Sequence, residues 1–366
     1  MQSYLNLLRD VMENGEMVGN RTGIRTKMVV GREFRHDMRT GFPLLTTKKI
    51  NPNTVFTELE GFIKGITDKK WYQVRKCFIW DEWCNPQIIK KYNIDDTLTE
   101  SKYLIKPITQ LINKIIYEPS LSHKVMPSMH ELLQFIGASI DGNILKFNDS
   151  MNNVDYKILK DKVIKLIQLY ETDLGAIYGY QYSHFGAVYP PIHPKSAHCS
   201  SHQQINGINQ LQNLIDTMKN NPLDRRMVVL AWNPVDIAND NMALPPCHWA
   251  FQVHSNGTDF DLIWSQRSVD SLLGLGFNAS FYACLMLLLE KETGLKARTL
   301  IAHLGNVHIY ENHFDQVNLQ LSREPRNLPT ITIPDEGWKS LFDWKYTDYV
   351  IDGYDPHPFI KAPVAI

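Results

Sequence analysis

One stretch, Leu244 to Asn278, constrains this chain more than any other. It opens LPPCHWAFQV and runs on through FDLIWSQRSVDSLLGLGFN. WAFQV and FDLIWS are runs of aromatic and branched residues joined through a Ser-Asn-Gly turn, which predicts a β-hairpin. The apolar run Phe281 to Leu289 predicts a helix that stops at Gly294 in a glycine C-cap. Chemistry-bearing residues sit at the joints of this frame. Cys247 follows two prolines and precedes His248; Arg267, Ser268 and Asp270 form a cluster; Asn278 stands at the mouth of the apolar helix. A thiol, a cation that favours its thiolate and a carboxamide together suggest covalent chemistry on a small polar molecule. Each part has a plainer reading. A lone cysteine is most often a small buried hydrophobe. Gln266, Arg267 and Ser268 also read as the solvated end of an edge strand, and Asn278 as a helix N-cap.

The chain has 366 residues and a formal net charge of -1, so no basic field points to nucleic acid. Its five cysteines, Cys77, Cys84, Cys199, Cys247 and Cys284, are odd in number and lack CxxC spacing. That fits a reducing, cytoplasmic setting and no disulfide framework. The run HCSSH around Cys199 lies in a Pro/Ser-rich loop, Pro190 to Ser201, without a second ligand pair, so no metal site is expected. The N-terminus lacks a signal-peptide pattern, and Leu5, Leu8 and Val11 recur at helical spacing. The longest apolar run is too short to span a bilayer. No Walker loop, HExxH, dinucleotide glycine fingerprint or internal repeat is present.

Taken in order, Arg21 lies in a turn before a predicted strand and reads equally as a surface ion pair or an anion contact. A helix is expected from about Thr54 to Lys64, with Val55, Phe56, Leu59 and Phe62 on its buried face. Glu58 falls beside that stripe, where partial burial would raise its pKa and suit it to proton handling; a solvated helix carboxylate is the commoner case. FIWDEW, Phe78 to Trp83, is an aromatic cluster that reads as core or as the wall of a flat-ring site. Residues 85–172 change texture, rich in Lys, Ile, Asn and Asp, with helices expected near Ser101–Tyr117 and Asp155–Tyr170. They read as an inserted surface subdomain. A helix is expected over Ile205–Met218, followed by Arg225 and Arg226 directly before a strand, MVVLAW. Such a pair is usually solvated, yet two guanidiniums also make a phosphate clamp. TLIAHLGNVHIYENH reads as a strand with His308 and Tyr310 on one side. The polar tail ends in GYDPHPFIKAPVAI, an apolar terminus that reads as docked rather than frayed.

Along most of its length the chain resembles thymidylate synthases. The matching runs are NRTG, GFPLLTTKK, IWDEW, DLGAIYGYQ, DRR, LPPCH, QRSVD, LGLGFN, HIYENH, LQLSREPR and the tail GYDPHPFIKAPVAI. Only the 85–172 segment lies outside. The resemblance implies a single α+β domain over residues 1–366, with a large mixed β-sheet packed with helices and the mainly helical insertion. It implies a symmetric homodimer that methylates dUMP to dTMP, with 5,10-methylenetetrahydrofolate as co-substrate and no metal. Cys247 would attack C6 of uracil. Arg267, Arg21, Gln266 and Ser268 would serve the nucleotide, with Arg225 and Arg226 reaching across from the other subunit. Asn278 would read the base and His308 and Tyr310 would hold the sugar. Glu58 would manage protons, aided by His248 and Tyr178. Trp80, Asp270, Lys48, Ala365 and Ile366 would serve the folate, Asp270 also facing the nucleotide.

The pattern has departures. Asn306 and Asn20 stand where the family usually has Asp, and Asp224 where it has Ser. Asn51 replaces a His found in some members, and Glu60 and Gly61 replace an apolar pair. Two alternatives follow. A dUMP hydroxymethylase of the same family would trap the exocyclic methylene with water instead of hydride. An RNA-binding regulatory protein of the same fold would use the Lys-rich insertion, which the near-neutral charge supports poorly.

Overall fold

The computed structural model describes residues 1–20, 22–94, 100–118, 120–141, 144–147, 154–189 and 207–364. Arg21, Ala365, Ile366, the Pro190–Ser201 loop with its HCSSH run and the start of the helix expected at Ile205 lie outside them.

The chain opens with helix α1 (Gln2–Asn14), which buries Tyr4, Leu5, Leu7, Leu8 and Val11. Strands β1 (Glu16–Val18) and β2 (Thr26–Asp37) follow. Helix α2 (Pro52–Ile63) starts where Asn51 caps it, accepting from the Asn53 N–H, with proline in the first helical position. Helices α3 (Lys69–Gln73) and α4 (Pro86–Lys91) lead to α5 (Ile105–Tyr117), α6 (Val125–Phe135), the hairpin β3 (Ala138–Asp141) and β4 (Ile144–Phe147), and α7 (Tyr156–Tyr170). Then come α8 (Tyr178–His184), α9 (Gln210–Asn220), β5 (Val228–Leu230), α10 (Pro234–Ala238), β6 (His248–Ser255), β7 (Asp259–Asp270), α11 (Leu275–Thr293), β8 (Lys296–Tyr310), α12 (Phe314–Leu321), β9 (Thr330–Thr332) and β10 (Val350–Asp352).

This is a mixed α+β fold built on one large sheet. The order β1-β2-β8-β7-β6-β5 is antiparallel except for β7 against β8, which run parallel. That parallel step needs a crossover, and α11 supplies it. Its residues from Leu275 to Leu289 are buried almost throughout, so it packs as a core helix rather than an amphipathic one. Gly294 closes it with φ +80°. The principal core lies between the sheet and helices α1, α2, α8, α9 and α11. A second apolar core forms within residues 84–169, around Ile108, Leu111, Leu132, Val163 and Leu166.

Several local expectations are corrected. Strand β7 is central, between β8 and β6, so Gln266–Ser268 are not the end of an edge strand; strand position depends on partners remote in sequence. Asn278 does not cap α11 but is its fourth residue, because the helix begins at Leu275. The helix expected from Ile205 begins at Gln210, capped by Asn209, while Ile208 bridges to Phe185. MVVLAW yields only Val228–Leu230 as strand, and β8 ends at Tyr310, where Glu311–His313 turn into a 3-10 helix.

Candidate active site

The two prolines before Cys247 explain much of the site. Proline gives the chain no N–H to donate but keeps its carbonyl, so the Pro245 and Pro246 carbonyls are left to accept from elsewhere. Arg267 takes both, Nε donating to Pro246 at 2.9 Å and Nη2 to Pro245 at 2.8 Å. Backbone pairing extends past the start of β6, with the Arg267 N–H donating to the Cys247 carbonyl at 2.9 Å. A register shift between His248 and Ala250 bulges β6 beside the cysteine. The guanidinium is thereby pinned with Nη2 3.9 Å from Cys247 Sγ. A fixed cation at this range favours thiolate over thiol.

Cys247 and Arg267 open on a cleft of about 610 Å³ that is also lined by Asn20, Trp83, Ser268, Asp270, Asn306, His308 and Tyr310. Its floor is the ends of three neighbouring strands. Ser268 pairs with Asn306 and Asp270 with His308 across β7 and β8, and Met28 and Thr26 of β2 pair with His308 and Tyr310. Asn306, His308 and Tyr310 are two apart on one strand and so share a face. Asn306 Oδ1 lies 2.8 Å from His308 Nδ1 and fixes that ring. Asn20 closes a tight turn, accepting from the Thr22 N–H at 2.9 Å and donating to the Ile24 carbonyl at 2.8 Å. Asp270 accepts from the Leu272 and Leu273 N–H groups at 2.9 and 3.0 Å, which shapes the turn into α11.

Behind this cleft Gln266 and Asn278 are buried together. Trp264 Nε1 donates to Gln266 Oε1, and Gln266 Nε2 donates to Asn278 Oδ1, both at 3.1 Å. The chain of bonds orients the Asn278 amide and leaves its NH₂ available as donor.

A second layer lies deeper. The Cys247 N–H donates to the Tyr178 hydroxyl at 2.7 Å. Tyr178 stacks against both Phe62, at 4.7 Å, and His248, at 4.4 Å, and those two rings also meet at 6.2 Å. His248 Nδ1 meets the Tyr282 hydroxyl at 2.8 Å, and burial pushes its pKa down to about 3, so the ring is neutral. Glu58 is 6% exposed, and burial pushes its pKa up to about 8. The Trp80 side chain faces that carboxyl and offsets the rise only in part, because the cost of burying the charge is larger.

Other sequence-predicted residues stand apart. Arg225 and Arg226 are exposed before β5 and do not line the cleft; Arg226 Nε lies 3.3 Å from Asp224. Lys48 is buried, donates to the Leu272 carbonyl and has its pKa pushed down to about 8 by burial. The tail is fastened: Arg323 donates to the Pro358 carbonyl at 2.7 Å, and His313 Nε2 lies 2.7 Å from the Pro363 carbonyl. Sequence reading did not single out Phe62 as a stacking partner, Tyr282 or His313. For Asn306 the signal existed, since it stands two before His308 on a strand.

Among the described residues no helix is long and apolar enough to cross a membrane, and no three His, Cys, Asp or Glu side chains group to hold a metal ion. The family model for thymidylate synthase matches residues 2–366, essentially the whole chain. A cysteine beside a pinned arginine, on a mixed α+β scaffold matched from end to end, places this chain in the thymidylate synthase family.

Proposed function

We propose that this chain catalyses the reductive methylation of dUMP to dTMP with 5,10-methylenetetrahydrofolate. The observation that carries this reading is the Cys247–Arg267 pair facing a cleft with the oriented Asn278 amide behind it. C5 of uracil is a weak nucleophile until something adds at C6. Cys247 Sγ is the soft nucleophile for that addition. Its bond to C6 pushes the ring electrons to C5 and O4, and C5 then takes the carbon. Loss of the C5 proton expels the folate nitrogen and leaves an exocyclic methylene on C5; hydride adds to that carbon, and departure of Cys247 regenerates the ring double bond. The co-substrate supplies the one-carbon unit and the hydride and leaves as dihydrofolate.

Asn278 selects the base, its NH₂ donating to O4 and its oxygen accepting from N3–H. Glu58, protonated near neutrality, serves as the proton store for O4 and the folate nitrogen, relayed by water. Tyr178 keeps the cysteine backbone in place, and neutral His248 supports Tyr178 from behind. Arg267 and Ser268 are assigned to the phosphate together with Arg21, and His308 and Tyr310 to the sugar hydroxyl. The buried, unpartnered Trp80 N–H and the Trp83 side chain in the cleft wall suit a flat aromatic co-substrate. Lys48, held on Leu272, supports the Asp270 turn behind the folate position, and Ala365 and Ile366 are assigned to closure over it.

A homodimer completes the reading. Val30 of β2, Val228 of β5 and Trp249 of β6 are 62%, 42% and 37% exposed, large apolar side chains that a second copy would cover. Arg225 and Arg226, exposed and away from their own cleft, are then available to the partner's phosphate. Residues 85–172 are read as an insertion within the one domain.

The test is product identification from dUMP and methylenetetrahydrofolate by mass, with dihydrofolate followed by absorbance. Gain of a methyl group with stoichiometric dihydrofolate is expected. A hydroxymethyl product without dihydrofolate would replace this reading with the hydroxymethylase.

A further inference from the structure

The tryptophan loop, residues 78–83, is held from outside the catalytic core. Asp81 is fully buried, and its two oxygens are divided between two bodies. Gln73 of α3 donates to Oδ1 at 2.9 Å, while Ser122, in the turn before α6, donates to Oδ2 at 3.1 Å. Lys124 pairs with Glu82, and the His123 ring meets the Phe78 ring edge-on at 5.2 Å. Beneath them Lys69, fully buried, donates to the carbonyls of Asp81 and Trp83 at 3.1 Å each and to that of Gln168 in α7. Three consecutive residues of the second core's surface therefore grip the loop, and one buried ammonium joins loop and α7 through main-chain oxygens.

What the loop carries makes this grip matter. Trp80 meets Tyr178 at 6.2 Å, Tyr178 accepts from the Cys247 N–H, and Trp83 lines the cleft. We propose that the insertion is a positioning element for the catalytic cleft, with Ser122 and Lys124 holding the Trp80–Trp83 wall through Asp81 and Glu82. This rests on the synthase reading, in which that wall receives the folate and keeps water from the methylene carbon. A buried carboxylate stripped of one donor reorganises to regain it, and without Ser122 the Asp81 Oδ2 loses its donor while Gln73 still holds Oδ1 and Lys69 the main chain.

The experiment uses the full chain with Ser122→Ala, Lys124→Met and the pair combined, since replacing Lys69 would threaten folding. Hydrogen exchange without ligands is expected to speed up about tenfold or more in the peptide spanning 78–83 of the double variant, with α11 and β7 unchanged. In turnover, KM for methylenetetrahydrofolate is expected to rise about fivefold or more while KM for dUMP holds, and the share of 5-hydroxymethyl-dUMP to increase. Lys124→Arg should restore wild-type behaviour. Unchanged exchange at 78–83, or unchanged folate KM and product ratio, overturns the proposal. Failure of the wild-type chain to make dTMP at all would instead overturn the synthase reading, and the exchange result would still decide the structural coupling.

Discussion

Replacing Glu58 by Gln isolates one buried proton. Burial in α2 lifts this carboxyl from 4.5 to about 8. A raised acid keeps in the fold a proton that the unfolded chain has already released, so stability falls as pH rises between those two values. At about 1.36 kcal/mol per pH unit, the full span from 4.5 to about 8 is worth about 5 kcal/mol at most. His248 acts in the opposite sense: pushed from 6.5 down to about 3, it makes stability rise with pH below 6.5 and contributes no slope above. Lys48 and Lys69, lowered from 10.5 to about 8, add stability as pH rises, but only above about 8. Between 6.5 and 8 Glu58 therefore loses about 2 kcal/mol, opposed in that window by the N-terminal ammonium of Met1, which burial lowers from 8.0. The assay is urea unfolding of wild type and Glu58→Gln across pH at one protein concentration. Subtracting wild type from variant cancels the groups they share. That difference is expected to grow by about 2 kcal/mol from pH 6.5 to 8 and then to level off. Infrared titration of the protonated carboxyl band follows the same group directly. A difference that stays constant across the window, or a band that titrates near 4.5, refutes burial as the cause.

Cys247→Ser should cut turnover by about a thousandfold or more, because a serine hydroxyl stays protonated where a thiol ionises; mass analysis with dUMP should show no adduct, and turnover within tenfold of wild type would exclude the thiol as nucleophile. Asn278→Asp should shift preference from dUMP toward dCMP, because a carboxylate presents only acceptors to O4. The mismatch costs on the order of 1–3 kcal/mol, roughly 5- to 150-fold in relative kcat/KM, and an unchanged ratio would remove Asn278 from base selection. Gly61→Ala should lower stability by about 1–3 kcal/mol in urea unfolding, since an added methyl runs into the buried Tyr72 ring; an unchanged midpoint would show that α2 and α3 part freely.

Features set by neighbours in sequence were legible. The hairpin of β6 and β7, the glycine stop at Gly294 and the shared face of His308 and Tyr310 follow from turn chemistry, helix capping and the two-residue strand period. The candidate residues stood out in LPPCH and QRSVD by their types, and the fold brings Cys247, Arg267, Ser268 and Asp270 to one cleft. Features set by remote partners were not legible. Nothing local makes β7 central; that follows from the parallel crossover through α11. The start of α11 at Leu275 is by contrast local: Asp270 takes the Leu272 and Leu273 amides two and three residues on and turns the chain, a bond that the hydrophobic period does not display. The Asp81 carboxylate, divided between Gln73 and Ser122, involves residues whose spacing has no periodic signature.

The departures at Glu60 and Gly61 become intelligible once α2 is seen to serve two sides. A helix turns about 100° per residue, so Glu58 and Phe62, four apart, share the side toward Tyr178, while Glu60 and Gly61 point elsewhere. Glu60 is buried, yet Lys64 Nζ reaches it at 2.5 Å and the Tyr346 N–H donates to it at 2.9 Å. A buried carboxylate with two donors is tolerated where a bare one is not. Gly61 leaves room for Tyr72, whose hydroxyl donates to the Ile66 carbonyl at 3.1 Å. Both changes are therefore answered on the side of α2 that meets α3 and Tyr346. The side bearing Glu58 and Phe62 keeps its stacking on Tyr178 and, through it, its hold on the Cys247 backbone. An apolar pair replaced in the middle of α2 alters how that helix is anchored and leaves intact the face that reaches Cys247 through Tyr178.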